Sequence, residues 1–179
     1  GHTVYGWDTN KSLIAVLRDR ASVLNPEPEI NRLLIDNAKN LSFMSLTEVA
    51  GCEIIFVAVP TLHPPEMDGS QLYSGPPQDF DYKPLETALK SLRDGLSGRT
   101  RRCSIGIMST VSPGTTRKFA DLFDGLDVDL FYTPSLISLG SVYQDFLNPP
   151  FSLIGTSDVG AIMGDQSLPV WVLSNFYKS

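Results

Sequence analysis

Four polar residues stand where strand-like runs end: Asp8, Thr61, Thr110 and Thr133. In a parallel sheet covered by helices, ligands bind at the carboxyl ends of the strands, so chemistry is expected at these positions. Asp8 follows the run Thr3, Val4, Tyr5, Gly6, Trp7. A carboxylate at such a strand end accepts hydrogen bonds from the adenosine ribose of a dinucleotide, and its charge disfavours a 2′-phosphate, which points to NAD. An Asp after a strand also caps the following helix, and both readings stand. The glycine-rich turn that accompanies the ribose carboxylate lies ~20 residues upstream of it. Only seven residues precede Asp8, no GxGxxG occurs elsewhere, and Gly160 with Gly164 makes only GxxxG without a strand in front. Either the chain binds no dinucleotide or it begins inside the domain. Cys52 and Cys103, with His2 and His63, assemble neither a disulfide framework nor a metal-ligand set and read as inert buried thiols.

The elements that must position these residues fit one soluble domain. The chain has 179 residues, 42% of them hydrophobic and 19% charged, enough apolar material for a core and too much for disorder. The longest apolar run, Ile54 to Val59, is strand-sized, and the N-terminus lacks the order of a signal peptide, so no membrane is expected and the cytoplasm is the expected location. A net charge of −6 argues against nucleic acid; Arg99, Arg101 and Arg102 form the only basic cluster and read as a solvated loop. After the first strand, helical patterns cover Ser12 to Arg20 and Glu27 to Asn40, with a short turn at Leu46 to Ala50. Ile54 to Val59 reads as a parallel strand buried on both faces. Five prolines and two glycines between Pro60 and Asp81 forbid regular structure over much of that stretch, and a loop so long is usually functional. Leu85, Leu89, Leu92 and Leu96 mark a helix face; Cys103 to Met108, Leu130 to Tyr132 and Phe151 to Ile154 read as strands, with a helix over Thr115 to Phe123. Strands alternating with helices predict an α/β fold with a doubly wound, Rossmann-like parallel sheet.

Several segments in order carry a resemblance. GHTVYGWD at Gly1 to Asp8, NPEPEINRLL at Asn25 to Leu34, IIFVAVPT at Ile54 to Thr61, Asp68 with Gly69, STVSPGTT at Ser109 to Thr116, and DFLNPP at Asp145 to Pro150 leading to Leu153 to Gly155 follow one another. The sequence resembles the NAD-binding domain of the UDP-glucose/GDP-mannose dehydrogenase family, which oxidises the C6 alcohol of a nucleotide sugar to a carboxylate using two NAD. The resemblance implies an N-terminally truncated domain over 1–179, with 156–179 starting the connection to a sugar-nucleotide domain, and a chain that is inactive alone. It implies a nucleotide-sugar substrate and a homo-oligomer when full length.

By the same resemblance Asp8 takes the adenosine-ribose role, Val59, Pro60, Thr61 and Ser109 line the dinucleotide, and Ser135, Leu136, Ile137 and Ser138 lie against substrate. Thr110 matches a threonine near the reacting centre that helps to position a water; its alternative is a strand-end cap for the helix that follows. The family's nucleophilic cysteine lies in the second half, so neither Cys52 nor Cys103 takes that role. Two departures stand out. TPSLISLG at Thr133 to Gly140 puts Ser135 and Leu139 where the family has glutamates, at least one of which serves acid/base chemistry or organises water, and leucine carries no proton. The loop between Ser70 and Gln78 is longer than the family's. A degenerate relative that binds a nucleotide or a partner without oxidation, and a 3-hydroxyacid dehydrogenase-like enzyme, are the alternatives; Asp8 points away from the second.

Overall fold

The computed structural model describes residues 2–19, 27 and 29–156. In chain order the elements are β1 (Val4–Gly6), α1 (Lys11–Arg18), α2 (Ile30–Asp36), β2 (Leu41–Phe43), α3 (Leu46–Val49), β3 (Ile54–Val57), α4 (Lys83–Gly95), β4 (Cys103–Ile107), α5 (Thr115–Ala120), β5 (Val128–Tyr132) and α6 (Val142–Leu147). Single 3-10 turns occur at Pro65–Met67 and Asp121–Phe123. Strands alternate with helices and every ladder between these strands is parallel, which makes this a mixed α/β fold of the Rossmann-like type. The described residues divide into two units, one made of those up to Cys52 with Ser135–Ser152, the other of Glu53–Pro134 with 153–156.

In the first unit β1 pairs with β2, Tyr5 opposite Ser42. A Cβ at Gly6 would stand 2.9 Å from the Phe43 ring, which would have to shift to admit a side chain. Asn10 caps α1 by accepting from Leu13 N at 3.0 Å, and Arg18 at its other end donates to Phe43 O at 2.8 Å. Ser45 and Glu48 close a capping box on α3. Those bonds hold the Glu48 carboxyl below its ordinary range.

The second unit is built on β4, which lies between β3 and β5 with Ile55, Ile105 and Leu130 in register. All five β4 residues are buried. Pro84 starts α4 where no N–H is needed, and Leu85, Leu89 and Leu92 recur at i, i+4 and i+7, so one face of the helix is buried. At the amino ends of the strands Arg102 forks onto Asp129, with Nη2 2.7 Å from Oδ1, and Arg101 pairs with Glu53. The basic cluster therefore ties neighbouring strands together, and is not merely a solvated loop.

Several expected elements differ. The buried centre of the sheet is β4, and β3 is an edge of the three-stranded sheet whose Ile54 and Phe56 are only half-buried, because only one strand pairs with it among the described residues. It ends at Val57, two residues early, where Val59 turns to meet Ser109. Leu41–Phe43, for which the sequence pattern suggests no element, is a strand. The second helix, expected over Glu27 to Asn40, covers Ile30–Asp36, and Asn37 Nδ2 folds back on Leu33 O at 3.0 Å to end it. Phe151 to Ile154 form no strand; a single antiparallel bridge joins Tyr132 to Gly155 instead. Of the two thiols, Cys103 is buried and Cys52 only half-buried.

Candidate functional site

The carboxyl ends of β3 and β4 leave the sheet side by side. Met108 N donates to Val57 O at 2.9 Å, carrying the pairing one step past the strands. Ser109 then takes over: its buried hydroxyl donates to Val59 O at 2.7 Å and accepts from Val59 N at 2.8 Å, so one side chain satisfies both backbone groups of Val59. One residue on, Thr61 Oγ1 donates to Thr110 O at 2.7 Å. Pro60 lies between these two ties and is exposed. The Ser109 hydroxyl is thus committed to Val59 and closes the two strand exits together.

Beyond Thr110 the turn is held from another side. Ser112 N donates to Tyr82 Oη, and both Ser112 Oγ and Tyr82 Oη donate to Asp79 Oδ1, each at 2.9 Å. Phe80 N donates to the same oxygen at 2.9 Å. The Tyr82 bond, then those from Ser112 and Phe80, hold the Asp79 carboxyl below the usual carboxylate range. Gly114, at φ 91, makes the left-handed turn into α5 that a side chain would strain. Between these anchors Thr110 is exposed, and its hydroxyl makes no hydrogen bond among the described residues. It does not cap α5. Thr133, after β5, is buried; its N donates to Ile107 O at 2.9 Å, and its methyl lies 2.7 Å from where a Gly106 Cβ would be. Thr133 is a packing residue, unlike Thr61 and Thr110.

In the other unit Asp8 follows β1 and is exposed. Its Oδ1 accepts from Asn10 N at 2.7 Å, and Asn10 is the residue that caps α1. Asp8 is therefore a turn former in front of the cap, with Oδ2 making no hydrogen bond among the described residues. The segment after Pro134 has Ser135 half-buried and Leu136, Ile137 and Ser138 exposed, while Leu139 is 95% exposed. Asp145 Oδ2 accepts from Ser141 Oγ at 2.7 Å and from Ser138 N at 2.9 Å. These bonds, the Ser141 one first, lower its pKa. Gly140, at φ 89, donates its N–H to Glu27 Oε1 at 2.7 Å.

Residues 1–168 match the family model described as the UDP-glucose/GDP-mannose dehydrogenase family, NAD binding domain. The chain belongs to this family. Its fold is similar to a UDP-glucose dehydrogenase from the archaeon Pyrobaculum islandicum, with a TM-score of 0.80 and 27% identity over 100% of this chain and 39% of that one. It is 24% identical to a GDP-mannose 6-dehydrogenase from Azotobacter vinelandii, over 88% of this chain and 36% of that protein. It is also 25% identical to an uncharacterized protein from Methanocaldococcus jannaschii, over 99% of this chain and 18% of that protein. The chain thus spans less than half the length of each of these relatives.

For a member of this family the strand-end chemistry fits the dinucleotide. Asp8 keeps one carboxylate oxygen without a hydrogen bond among the described residues, an acceptor of the kind a ribose hydroxyl can donate to. Val59, Pro60 and Thr61 offer an edge without charged side chains. The geometry brings Val59, Pro60, Thr61, Ser109 and Thr110 together in one unit, and places Asp8 and Ser135 to Ser138 in the other. Asp79, Tyr82 and Ser112 are the group that the sequence reading missed. Tyr82 carried a signal: a buried position just ahead of the α4 leucine stripe is where a tyrosine hydroxyl needs a partner.

Proposed function

We propose that the protein carrying this domain is an NAD-dependent nucleotide-sugar dehydrogenase that oxidises the C6 alcohol of a UDP- or GDP-sugar to a uronic acid. When bound, NAD supplies the hydride acceptor. Asp8 would hold the adenosine ribose through its open oxygen. Val59, Pro60 and Thr61 would border the dinucleotide, with Ser109 acting through Val59, and Ser135 to Ser138 would lie against the sugar nucleotide. Thr110 would donate and accept through its hydroxyl to place a water or a substrate oxygen. The observation that carries this reading is the Thr110 hydroxyl, exposed and unengaged among the described residues on a turn held at Ser109, at Ser112 and at Thr110's own carbonyl, in a chain that matches the family's NAD-binding domain.

A second reading, a relative that binds without oxidising, draws on one feature. No carboxylate occurs from Thr133 to Gly140, and the next one, Asp145, is engaged by Ser138 and Ser141 and held at a low pKa. Such a carboxylate is a weak base, and general acid/base help is typically worth ~100- to 10,000-fold. The deciding assay follows NADH formation by the full-length protein with UDP-glucose, GDP-mannose and UDP-N-acetylated sugars, beside Ser135→Glu/Leu139→Glu. Turnover by the wild type that the double substitution fails to improve supports the dehydrogenase; NAD binding without turnover by the wild type supports the binding protein, whether or not the double substitution restores activity.

A further inference from the structure

We propose that Asp79 and Tyr82 are positioning residues that hold the Ser109–Ser112 turn, and through it the Thr110 hydroxyl, in the geometry the reaction needs. The proposal rests on the dehydrogenase reading and adds residues from outside the strand ends. The long stretch between β3 and α4 is closed at its neck, where Leu62 and Asp81 form an antiparallel bridge with Asp81 N donating to Leu62 O at 2.8 Å. That neck reaches the turn twice. Thr61 binds the carbonyl of Thr110. On the other side Tyr82 Oη accepts from Ser112 N, and Asp79 Oδ1 gathers the hydroxyls of Tyr82 and Ser112 with the N–H of Phe80.

Thr110 lies between these two grips with its side chain turned out. An exposed turn could rely on water for the Ser112 N–H. Here a tyrosine that is 8% exposed supplies the partner, and a carboxylate fixes that tyrosine's hydroxyl in turn. A hydroxyl that places a reacting oxygen gains from a backbone that does not move, because a misplacement of about 1 Å can cost about 100-fold in rate. The hydrogen bonds of the Asp79, Tyr82 and Ser112 side chains run to each other and to backbone N–H groups; their effect on the reaction would pass through Thr110.

The test uses Tyr82→Phe, which keeps the buried ring, together with Asp79→Ala and Asp79→Asn in the full-length protein. Amide exchange over Thr110 to Gly114 should quicken about tenfold in Tyr82→Phe, the equivalent of one lost hydrogen bond. Ile105 and Ile107 should keep their protection, which shows that the fold persists. With the nucleotide sugar that the wild type oxidises, kcat should fall about 100-fold while KM for NAD and sugar stay within about threefold. Asp79→Asn, which retains an acceptor for both hydroxyls, should recover most of the rate that Asp79→Ala loses. Unchanged exchange at the turn, or kcat within about twofold of wild type in both Tyr82→Phe and Asp79→Ala, would overturn the proposal. If the wild type oxidises no nucleotide sugar, the dehydrogenase reading fails on its own, and exchange at the turn still decides whether the clamp exists.

Discussion

The two units carry similar apolar patterns and bury them very differently. Leu89 on α4 and Ile105 on β4 are 0% exposed, whereas Val4 on β1 is 49% exposed and Leu13 on α1 is 41% exposed. Neither α1 nor α2 has a fully buried residue. The difference follows from pairing. β4 has a strand on each side, while β1 pairs only with β2 among the described residues. A short strand with one partner and little covering leaves its apolar side chains at the surface. The turn that bears Thr110 therefore stands on the firm unit, and Asp8 on the shallow one. That contrast should be visible in energies before any question of activity is asked.

The largest effect expected is on the core. Leu89→Ala should cost ~2 to 5 kcal/mol, through lost transfer energy and a residual cavity. The chemically identical change Leu13→Ala should cost under ~1 kcal/mol, since a side chain this exposed leaves little behind. Urea unfolding followed by circular dichroism measures both. Equal costs would break the contrast and show that α1 packs more deeply than its exposure indicates.

Next comes Ser109→Ala, which leaves the N–H and C=O of Val59 without the hydroxyl they share. Leaving such groups unsatisfied costs ~1 to 3 kcal/mol, read from the same unfolding curves. This position also marks a limit of the sequence. Ser109 is placed along the dinucleotide by the family resemblance; nothing in STVSPGTT announces that its partner is Val59, fifty residues away. The alternation of strands and helices was legible because 3.6-residue and strand-length periods repeat locally, as in the leucines of α4. Leu41–Phe43 was not, since three residues are too few to show a period. The Asp79, Tyr82 and Ser112 cluster joins side chains 30 and 33 positions apart, and only tertiary structure brings them together. Asp8 was legible as a strand-end carboxylate, but not as the residue that sets up the true cap, Asn10.

Asp8 sharpens the contrast from the other side, because a residue on a shallow unit can matter for a ligand while contributing little to the fold. In the full-length protein Asp8→Ala should weaken NAD binding by ~1 to 3 kcal/mol, the usual loss for a hydrogen bond to a charged group. Stability should change far less. Asp8→Asn separates two causes, since an amide oxygen can still accept from Asn10 N while the charge is gone. Calorimetry should then show an intermediate affinity for NAD. An affinity unchanged in both variants would leave Asp8 as a turn former alone.

The smallest effect concerns acid, and it compares one carboxylate from each unit. Asp79 is held below the ordinary range chiefly by Tyr82, and Asp145 chiefly by Ser141. A carboxyl whose folded pKa is depressed binds fewer protons folded than unfolded, so its contribution to stability is full above the unfolded value and is lost as pH falls through the folded one. The window therefore opens below about pH 4 and is closed at neutral pH. Both side chains are open to solvent, which screens them and keeps the effect small. Between pH 6 and pH 8 the urea midpoint should not respond to either group. Below pH 4 it should fall, and Asp79→Asn should flatten part of that fall, because an amide takes no proton. Asp145→Asn should flatten it less if the shallow unit contributes little to the global transition. A larger flattening with Asp145→Asn would reverse the ranking of the two units and show that the Ser138 to Asp145 segment carries stability that its exposure conceals.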